Sequence, residues 1–208
     1  MTLKILVLTK YDSLGASSRL RTLQYLKQLE NLGFDIDVQP LLSNRYVQSI
    51  HQGKKWTRLF LLFYSNISRA FKLLLLKKRV DVVWLEKELF PWLPWALEHF
   101  FIKRMRPYIV DYDDAVFHRY DQHGSAVVRR LFSNKIDKVM QNAACVSVGS
   151  QYLHEKALSV GVKHVYKIPT VVDVSRYMRC DRTEANKNKL VIGWTGSSAT
   201  VKYLESLF

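Results

Sequence analysis

Short apolar segments recur along the chain and are separated by longer segments of mixed polarity. The first of these segments, Lys4 to Thr9, is a continuous apolar run without the alternation of a half-exposed strand, which is typical of a parallel strand covered on both faces. The apolar segments lie at residues 4–9, 35–38, 80–86, 108–113 and 144–150, and at the start of 164–173. Each is predicted to form a strand.

The segments between these strands have the periodicity of helices. Four leucines from Leu20 to Leu29 recur at near-helical spacing after Ser17 and Ser18, either of which is a suitable N-cap. Further helices are predicted at 92–104, 125–141 and 151–159. Strands that alternate with helices predict an α/β fold with a doubly wound, mostly parallel sheet.

A change of composition near the end of the chain predicts a domain boundary. The segment 175–189 is polar, with little apolar periodicity, and the apolar run "LVIGW" follows it. We therefore expect a first domain at 1–175 and a linker at 176–189. Residues 190–208 are expected to be the first strand and helix of a second domain, present only as a fragment.

The chain is strongly basic, with 32 Lys and Arg against 18 Asp and Glu and a formal net charge of +14. Such a field favours nucleic acid, anionic lipid headgroups or phosphorylated small molecules. Because the basic residues are dispersed and no recognition motif is present, no nucleic acid partner is expected. The N-terminal apolar run is shorter than the core of a signal peptide, which predicts a cytoplasmic protein.

The apolar segment 53–79 has basic residues at both ends. Its apolar runs are shorter than the roughly 20 residues that span a bilayer. It is interpreted either as core helices with basic ends or as a helix lying on an anionic membrane, at its cytoplasmic face. In the second case the membrane-facing candidates are Lys54, Lys55, Trp56, Arg58, Lys77 and Lys78.

A cluster of carboxylates, Asp111, Asp113 and Asp114, ends the strand predicted at 108–113. Ligands of doubly wound sheets bind at that edge of the sheet. Asp111 and Asp113 share one face of the strand, since alternate residues point the same way. A divalent metal, a polar ligand or a cap on the next loop would each suit these side chains. D-x-D alone indicates a metal only weakly, so no metal is expected.

The loop "LGASSR" joins the first strand to the first helix. Gly15 there allows the backbone to approach a ligand, beside Ser17, and Arg19 and Arg21 add positive charge. A tight turn explains Gly15 equally well, because the dinucleotide and Walker A fingerprints are both missing. The turn after the later run "LVIGW" carries comparable residues: Gly196 and Ser197.

Six segments taken together, in order, resemble a bacterial glycosyltransferase of the family 4 (group 1) type, which has the two-domain GT-B architecture. The segments are "GASSRLRTLQYLKQLENLGFDIDVQPLL", "VVWLEKELFP", "IVDYDDAVF", "VSVGSQYL", "IPTVVD" and "LVIGWTGSSATVKYL". The resemblance implies that the Rossmann-like N-terminal domain binds the acceptor, and that the C-terminal domain binds most of the nucleotide-sugar donor.

The same resemblance assigns roles to the candidate residues. Gly15 and its neighbours correspond to the loop that faces the donor phosphates and the acceptor. Asp113 or Asp114 corresponds to the strand-end position that contacts the transferred sugar, and these two are the catalytic candidates. Gly196 and Ser197 correspond to the phosphate-facing turn of the second domain.

The implied reaction is a retaining, metal-independent transfer of a sugar, as by a hexosyltransferase. The donor would be a nucleotide-sugar, which is a substrate, so no cofactor is implied; the acceptor would be a cell-envelope glycan or a lipid-linked molecule. Without a metal, the charge on the leaving diphosphate needs cationic side chains and backbone N–H groups. The fragment is expected to be inactive alone. The alternative function is a non-catalytic α/β module that binds anionic ligands or membranes.

Overall fold

A computed structural model describes residues 2–51, 55–75, 80–105, 107–176, 193, 194 and 204 of the chain. Within these residues the central feature is one sheet of six strands, all parallel. The strands are β1 (Lys4–Leu8), β2 (Asp35–Val38), β3 (Val82–Glu86), β4 (Tyr108–Tyr112), β5 (Cys145–Val148) and β6 (Val165–Lys167). The predicted α/β fold with a doubly wound parallel sheet is confirmed.

Helices connect the strands, as the periodicity predicts. They are α1 (Ala16–Arg21), α2 (Leu26–Asn31), α3 (Asn44–His51), α4 (Lys55–Leu74), α5 (Trp95–Arg104), α6 (His118–Asp121), α7 (Ala126–Phe132), α8 (Lys135–Gln141) and α9 (Gln151–Ser159). A short 3-10 helix, Leu23–Tyr25, joins α1 to α2.

Three predicted helices differ from their patterns in extent. The leucine-rich helix is divided at Thr22, whose backbone leaves the helical region at φ −131° and ψ −62°. The helix predicted at 125–141 is divided into α7 and α8 by Ser133 and Asn134, which are weak helix formers. The helix predicted at 92–104 begins at Trp95, because Pro94 before it has an extended ψ of 147°.

The strand order β2-β1-β3-β4-β5-β6 creates a switch point at β1. The chain passes from β1 to a neighbour on one side, β2, and then crosses to the neighbour on the other side, β3. Val7 of β1 accordingly pairs with Val38 of β2 and with Trp84 of β3. The connections that leave β1 and β3 therefore diverge, and a crevice forms beyond the carboxyl ends of these strands.

The main core lies on one face of the sheet. Alternate residues of the central strands, such as Val83 and Leu85 of β3 and Val110 and Tyr112 of β4, point to this face. Buried side chains from α5, α8 and α9 belong to the same cluster. The opposite face carries polar side chains near the strand ends, and there they bind α1.

The chain divides into two compact units, Met1–Val172 and Asp173–Phe208. The first unit contains every strand described above. The second contains a short 3-10 helix at Val174–Arg176. The linker predicted at 176–189 and the second domain predicted at 190–208 lie almost entirely outside the described residues, and both stay predictions.

Candidate functional site

Charged residues meet at the switch point because each follows the carboxyl end of an apolar strand. Lys10 lies just beyond β1, Glu86 ends β3 and Lys87 follows it, and Asp113 lies just beyond β4. The parallel strands bring these ends to one edge of the sheet. The loop after β1 and the start of α1 lie across the same edge, and together they form the crevice site.

Glu86 fixes α1 to the end of β3. Its carboxylate accepts a hydrogen bond from the backbone N–H of Lys10 at 2.9 Å and another from the Ser18 hydroxyl at 2.6 Å. Only 2% of Glu86 is exposed. The Ser18 oxygen in turn accepts from the N–H of Tyr11 at 3.0 Å. Glu86 therefore holds the loop after β1 and the start of α1 against the end of β3.

Asp113 is an ionised carboxylate with two partners in the crevice. Ser17 donates to its Oδ2 at 2.5 Å, and Lys87 Nζ lies 2.7 Å from its Oδ1. Partial burial favours the neutral acid, but the charge of Lys87 and these hydrogen bonds outweigh it, so the pKa of Asp113 lies below its ordinary value. Asp114 is 72% exposed and lies 3.4 Å from Lys87. The crevice thus presents one ordered carboxylate and one open to solvent.

Lys87 has a strained backbone. Its φ is +65°, and the N–H of Glu88 donates to the carbonyl of Glu86 at 2.9 Å, which closes a three-residue turn. Non-glycine residues in this region are rare and concentrate at functional sites. The turn directs the buried ammonium of Lys87 toward Asp113. Burial alone would lower the pKa of Lys87, but the negative charge of Asp113 outweighs this effect and raises it.

Arg21 is held in a buried ion pair. Its guanidinium donates to both carboxylate oxygens of Asp111, at 2.9 and 2.5 Å, and Ser147 donates to the same carboxylate at 2.5 Å. Arg21 also donates to the carbonyl of Ile168 at 2.5 Å. These bonds fix α1 against β4 and β5. As predicted, Asp111 and Asp113 point to one face, since both bind side chains of α1.

Gly15, at the end of the loop, and Arg19, which the structure places in α1, both contact residues of the loop after β1. A Cβ added to Gly15 would lie 2.2 Å from the Cβ of Tyr11, so only glycine fits here. This packing gives a structural reason for the glycine, beside the ligand approach that the sequence suggested. Arg19 donates to the carbonyl of Ser13 at 3.3 Å and is half-buried.

Lys10 is the most unusual residue of the crevice. It is 6% exposed, and within the described part of the chain no hydrogen bond or ion pair engages its ammonium, which lies 5.4 Å above the ring of Tyr11. Burial, and then the positive charges of Arg119 and Lys87, lower the pKa of Lys10 to about 8. A buried, unpaired charge is costly and marks a candidate functional group.

A buried network of charged side chains lies next to the crevice. Lys135 Nζ lies 2.7 Å from Glu88 and 2.9 Å from Glu98, and these three side chains are at most 1% exposed. Tyr120 donates to Glu88 at 2.8 Å, and Arg119 lies 3.5 Å from the same carboxylate. The network orients Arg119 beside the crevice.

The helix α4 is amphipathic with its apolar face outward. The exposed side chains on that face are Trp56, Leu59, Phe60, Phe63, Ile67, Phe71 and Leu74. Arg58 follows Trp56 by two residues, so it lies about 200° round the helix, on the half-buried side. Arg69, on the same side as Arg58, is buried against the carbonyls of Thr9 and Gln39, at 2.7 Å from each.

Of the other membrane-facing candidates, the structure describes the position of Trp56 and the backbone of Lys55. Trp56 is 85% exposed, as the prediction requires, and Lys55 begins α4. The candidates Lys54, Lys77 and Lys78 lie outside the described residues, as do the predicted phosphate-turn residues Gly196 and Ser197. Among the helices that the structure describes, none has the length and apolar character needed to cross a bilayer.

Three crevice residues were not identified from the sequence: Lys10, Glu86 and Lys87. Each lies at the end of an apolar strand, and that position was the signal that did identify Asp113. In the described ranges, no group of three or more His, Cys, Asp or Glu side chains is arranged to hold a metal ion.

Comparison with models of known protein families and with curated proteins finds no match to this chain. The function proposed below therefore depends on the crevice, on α4 and on the resemblance in sequence.

Proposed function

We propose that this chain is the acceptor-side domain of a retaining, metal-independent glycosyltransferase. It would work with a second domain to transfer a sugar from a nucleotide-sugar to a cell-envelope glycan or a lipid-linked acceptor. The observation that carries this proposal is the buried, unpaired ammonium of Lys10 at the switch point, with Lys87 and Arg119 near it. The resemblance supports the same placement of donor phosphates and acceptor beside the loop at Gly15.

The chemistry fits a reaction in which negative charge develops. As the bond between the sugar and the diphosphate breaks, charge accumulates on the leaving phosphate oxygens. Fixed cations in a crevice with little water stabilise the transition state, in which this charge develops, more than they stabilise the ground state. They therefore accelerate the reaction. Asp113, ionised and held by Ser17 and Lys87, suits a hydrogen bond from a hydroxyl of the sugar or the acceptor.

A sugar-transfer assay tests this function. Protein expressed from the complete reading frame is incubated with radiolabelled nucleotide-sugars and a lipid extract of the source cells. We expect a labelled glycolipid or glycan, and an Asp113→Asn variant that is slower by about 100-fold, because it loses a charged contact to the reacting sugar. Asp35→Asn, an exposed change at the start of β2, is the control. No transfer from any donor, with vesicle binding retained, would instead support a non-catalytic binding module.

We further propose that the domain is peripheral to the cytoplasmic face of an anionic membrane, bound through α4. The apolar face of this 20-residue helix would lie in the interface. The sequence places basic residues at both ends of the helix, where they would meet anionic headgroups. The net charge of +14 complements such a surface.

Vesicle flotation tests the membrane proposal. We expect the Phe60→Ser, Phe63→Ser double variant to bind vesicles containing phosphatidylglycerol about 100-fold less tightly. The reason is that two exposed phenyl groups contribute about 3 kcal/mol or more when buried in lipid. The double variant Leu131→Ser, Leu158→Ser removes two other exposed apolar groups, from α7 and α9, and should bind like the parent. Equal binding by both variants, or stronger binding of the parent to duplex DNA, would overturn the proposal.

A further inference from the structure

A cavity of about 350 Å³ lies beneath α4, on the side away from its apolar face. One wall is α4, and the other walls are the segment after β2 and the start of α3. Asp12, in the loop that leads from β1 to Gly15, also lines the cavity. The cavity therefore adjoins the loop that borders the crevice, although its own lining is separate.

Basic and hydroxyl side chains dominate the polar lining of the cavity. Arg45, Arg69 and Lys72 line it, against the single carboxylate of Asp12. Ser43, Ser65 and Ser68 add hydroxyl groups, which can donate to an anion. Such a set suits a tetrahedral phosphate, which takes several donors at once.

Arg69 gives the cavity a fixed positive charge. It is 4% exposed, and its guanidinium donates to the carbonyls of Thr9 and Gln39 and, at 3.4 Å, to that of Leu89. Within the described residues no carboxylate forms an ion pair with it, although Glu86 and Glu98 are near enough to oppose the effect of burial on its pKa. Burial lowers the pKa of Arg69 to about 9, which shows how costly that charge is.

Arg45 and Lys72 are available to a ligand. Both are exposed, and in the part of the chain that the structure describes neither side chain forms an ion pair or a hydrogen bond. Tyr64 also lines the cavity, is 61% exposed and stacks on Phe60 of the apolar face. The rim of the cavity is thus continuous with the surface proposed to lie on the membrane.

We propose that this cavity binds the phosphate or diphosphate group of the acceptor. This inference rests on the proposed function, and it specifies the acceptor as a phosphorylated molecule. The group would enter past Tyr64, bind Arg45 and Lys72 at the rim, and lie in the field of Arg69. It would be the headgroup of a lipid, or a soluble phosphate ester with the same chemistry.

Calorimetric titration with inorganic pyrophosphate tests the cavity directly. Arg69 is left unchanged, because its bonds to three carbonyls make its loss a folding defect. We expect the Arg45→Gln, Lys72→Gln double variant to bind pyrophosphate at least about tenfold more weakly than the parent, since two charge-assisted contacts are lost. Lys27→Gln, Lys163→Gln changes the net charge equally at exposed sites elsewhere and should bind like the parent. Equal affinity in the two double variants, or no binding by the parent, would overturn the proposal.

The source of the phosphate group is distinguished with vesicles. Phosphatidylcholine vesicles are doped with phosphatidic acid, a phosphate monoester, or with phosphatidylglycerol at equal surface charge. If the parent binds the vesicles with phosphatidic acid more tightly than those with phosphatidylglycerol, and the Arg45→Gln, Lys72→Gln variant does not, the bound group is a lipid headgroup. If the parent binds both kinds of vesicle equally, and the double variant still binds pyrophosphate more weakly than the parent, the bound group belongs to a soluble phosphate ester. Pyrophosphate binding needs no sugar transfer, so failure of the cavity and failure of the proposed enzyme are observed separately.

Discussion

Replacement of Lys135 by methionine should lower the free energy of unfolding by about 3–5 kcal/mol, more than any other single change considered. The Lys135 ammonium is fully buried between Glu88 and Glu98, and it also donates to the carbonyl of Phe90 at 2.5 Å. Methionine fills a similar volume but carries no charge. The variant therefore leaves two carboxylates buried together, with only the partly exposed Arg119, 3.5 Å from Glu88, as a nearby cation.

The loss should depend on pH in a defined direction. Burial raises the pKa of Glu98 even in the presence of Lys135, whereas the charge of Lys135 outweighs burial and lowers the pKa of Glu88. Without Lys135, both carboxyls would bind protons more readily in the folded state than in the unfolded state. Acidification then protonates the folded state preferentially, so the variant should recover stability as the pH falls through these raised pKa values.

Urea unfolding of the variant at neutral and mildly acid pH measures this effect. Lys138→Met, on the same helix but half-buried, is the control and should change stability by no more than about 0.5 kcal/mol. Adding Glu98→Gln to Lys135→Met should restore part of the loss, because one buried charge is removed. A Lys135→Met variant as stable as the control would show that the two carboxylates are solvated or protonated already.

The sheet was predictable because most of its strands are short apolar runs that are separated by segments with helical periodicity. The position of Asp113 followed from the same pattern, since a polar residue after a buried strand lies at the ligand-binding edge. Lys10, Glu86 and Lys87 occupy equivalent positions, but a charged residue after a strand is also what an ordinary surface loop contains. Only the tertiary structure shows that Lys10 is 6% exposed and unpaired.

Other features depend on contacts between residues far apart in sequence. Periodicity predicted a helix within 53–79, but it did not decide whether the apolar face was turned inward or outward. The structure turns it outward, because Arg69 on the opposite face binds carbonyls near the ends of β1 and β2. The pairing of Glu88 with Lys135 spans 47 residues, and no local pattern indicates it.

The second large effect is expected at Lys10, where stability and function should change in opposite directions. Lowering the pKa from 10.5 to about 8 corresponds to about 3 kcal/mol of unfavourable free energy for holding the charge in the crevice. Lys10→Met removes that charge and keeps the apolar stem. We therefore expect the variant to be more stable than the parent by about 1–3 kcal/mol at neutral pH.

The pH dependence follows from the direction of this pKa shift. Below about pH 8, Lys10 is protonated in both states, and the folded state bears the full cost of its burial. Between about pH 8 and 10.5 the unfolded state binds more protons than the folded state, so the parent gains stability as the pH rises. The stability difference between parent and Lys10→Met should thus be largest at neutral pH and shrink across this window.

Sugar transfer should show the opposite response, because the ammonium that destabilises the fold is the one that would meet the leaving phosphate. We expect Lys10→Met to lower the transfer rate by about 100-fold, and the parent's rate to fall as the pH rises through about 8. Lys27→Met, an exposed change, should alter neither property. Loss of stability in Lys10→Met would mean that the ammonium already has a partner within the protein. A stabilised variant with an unchanged transfer rate would remove Lys10 from the reaction and leave its burial without a functional reason.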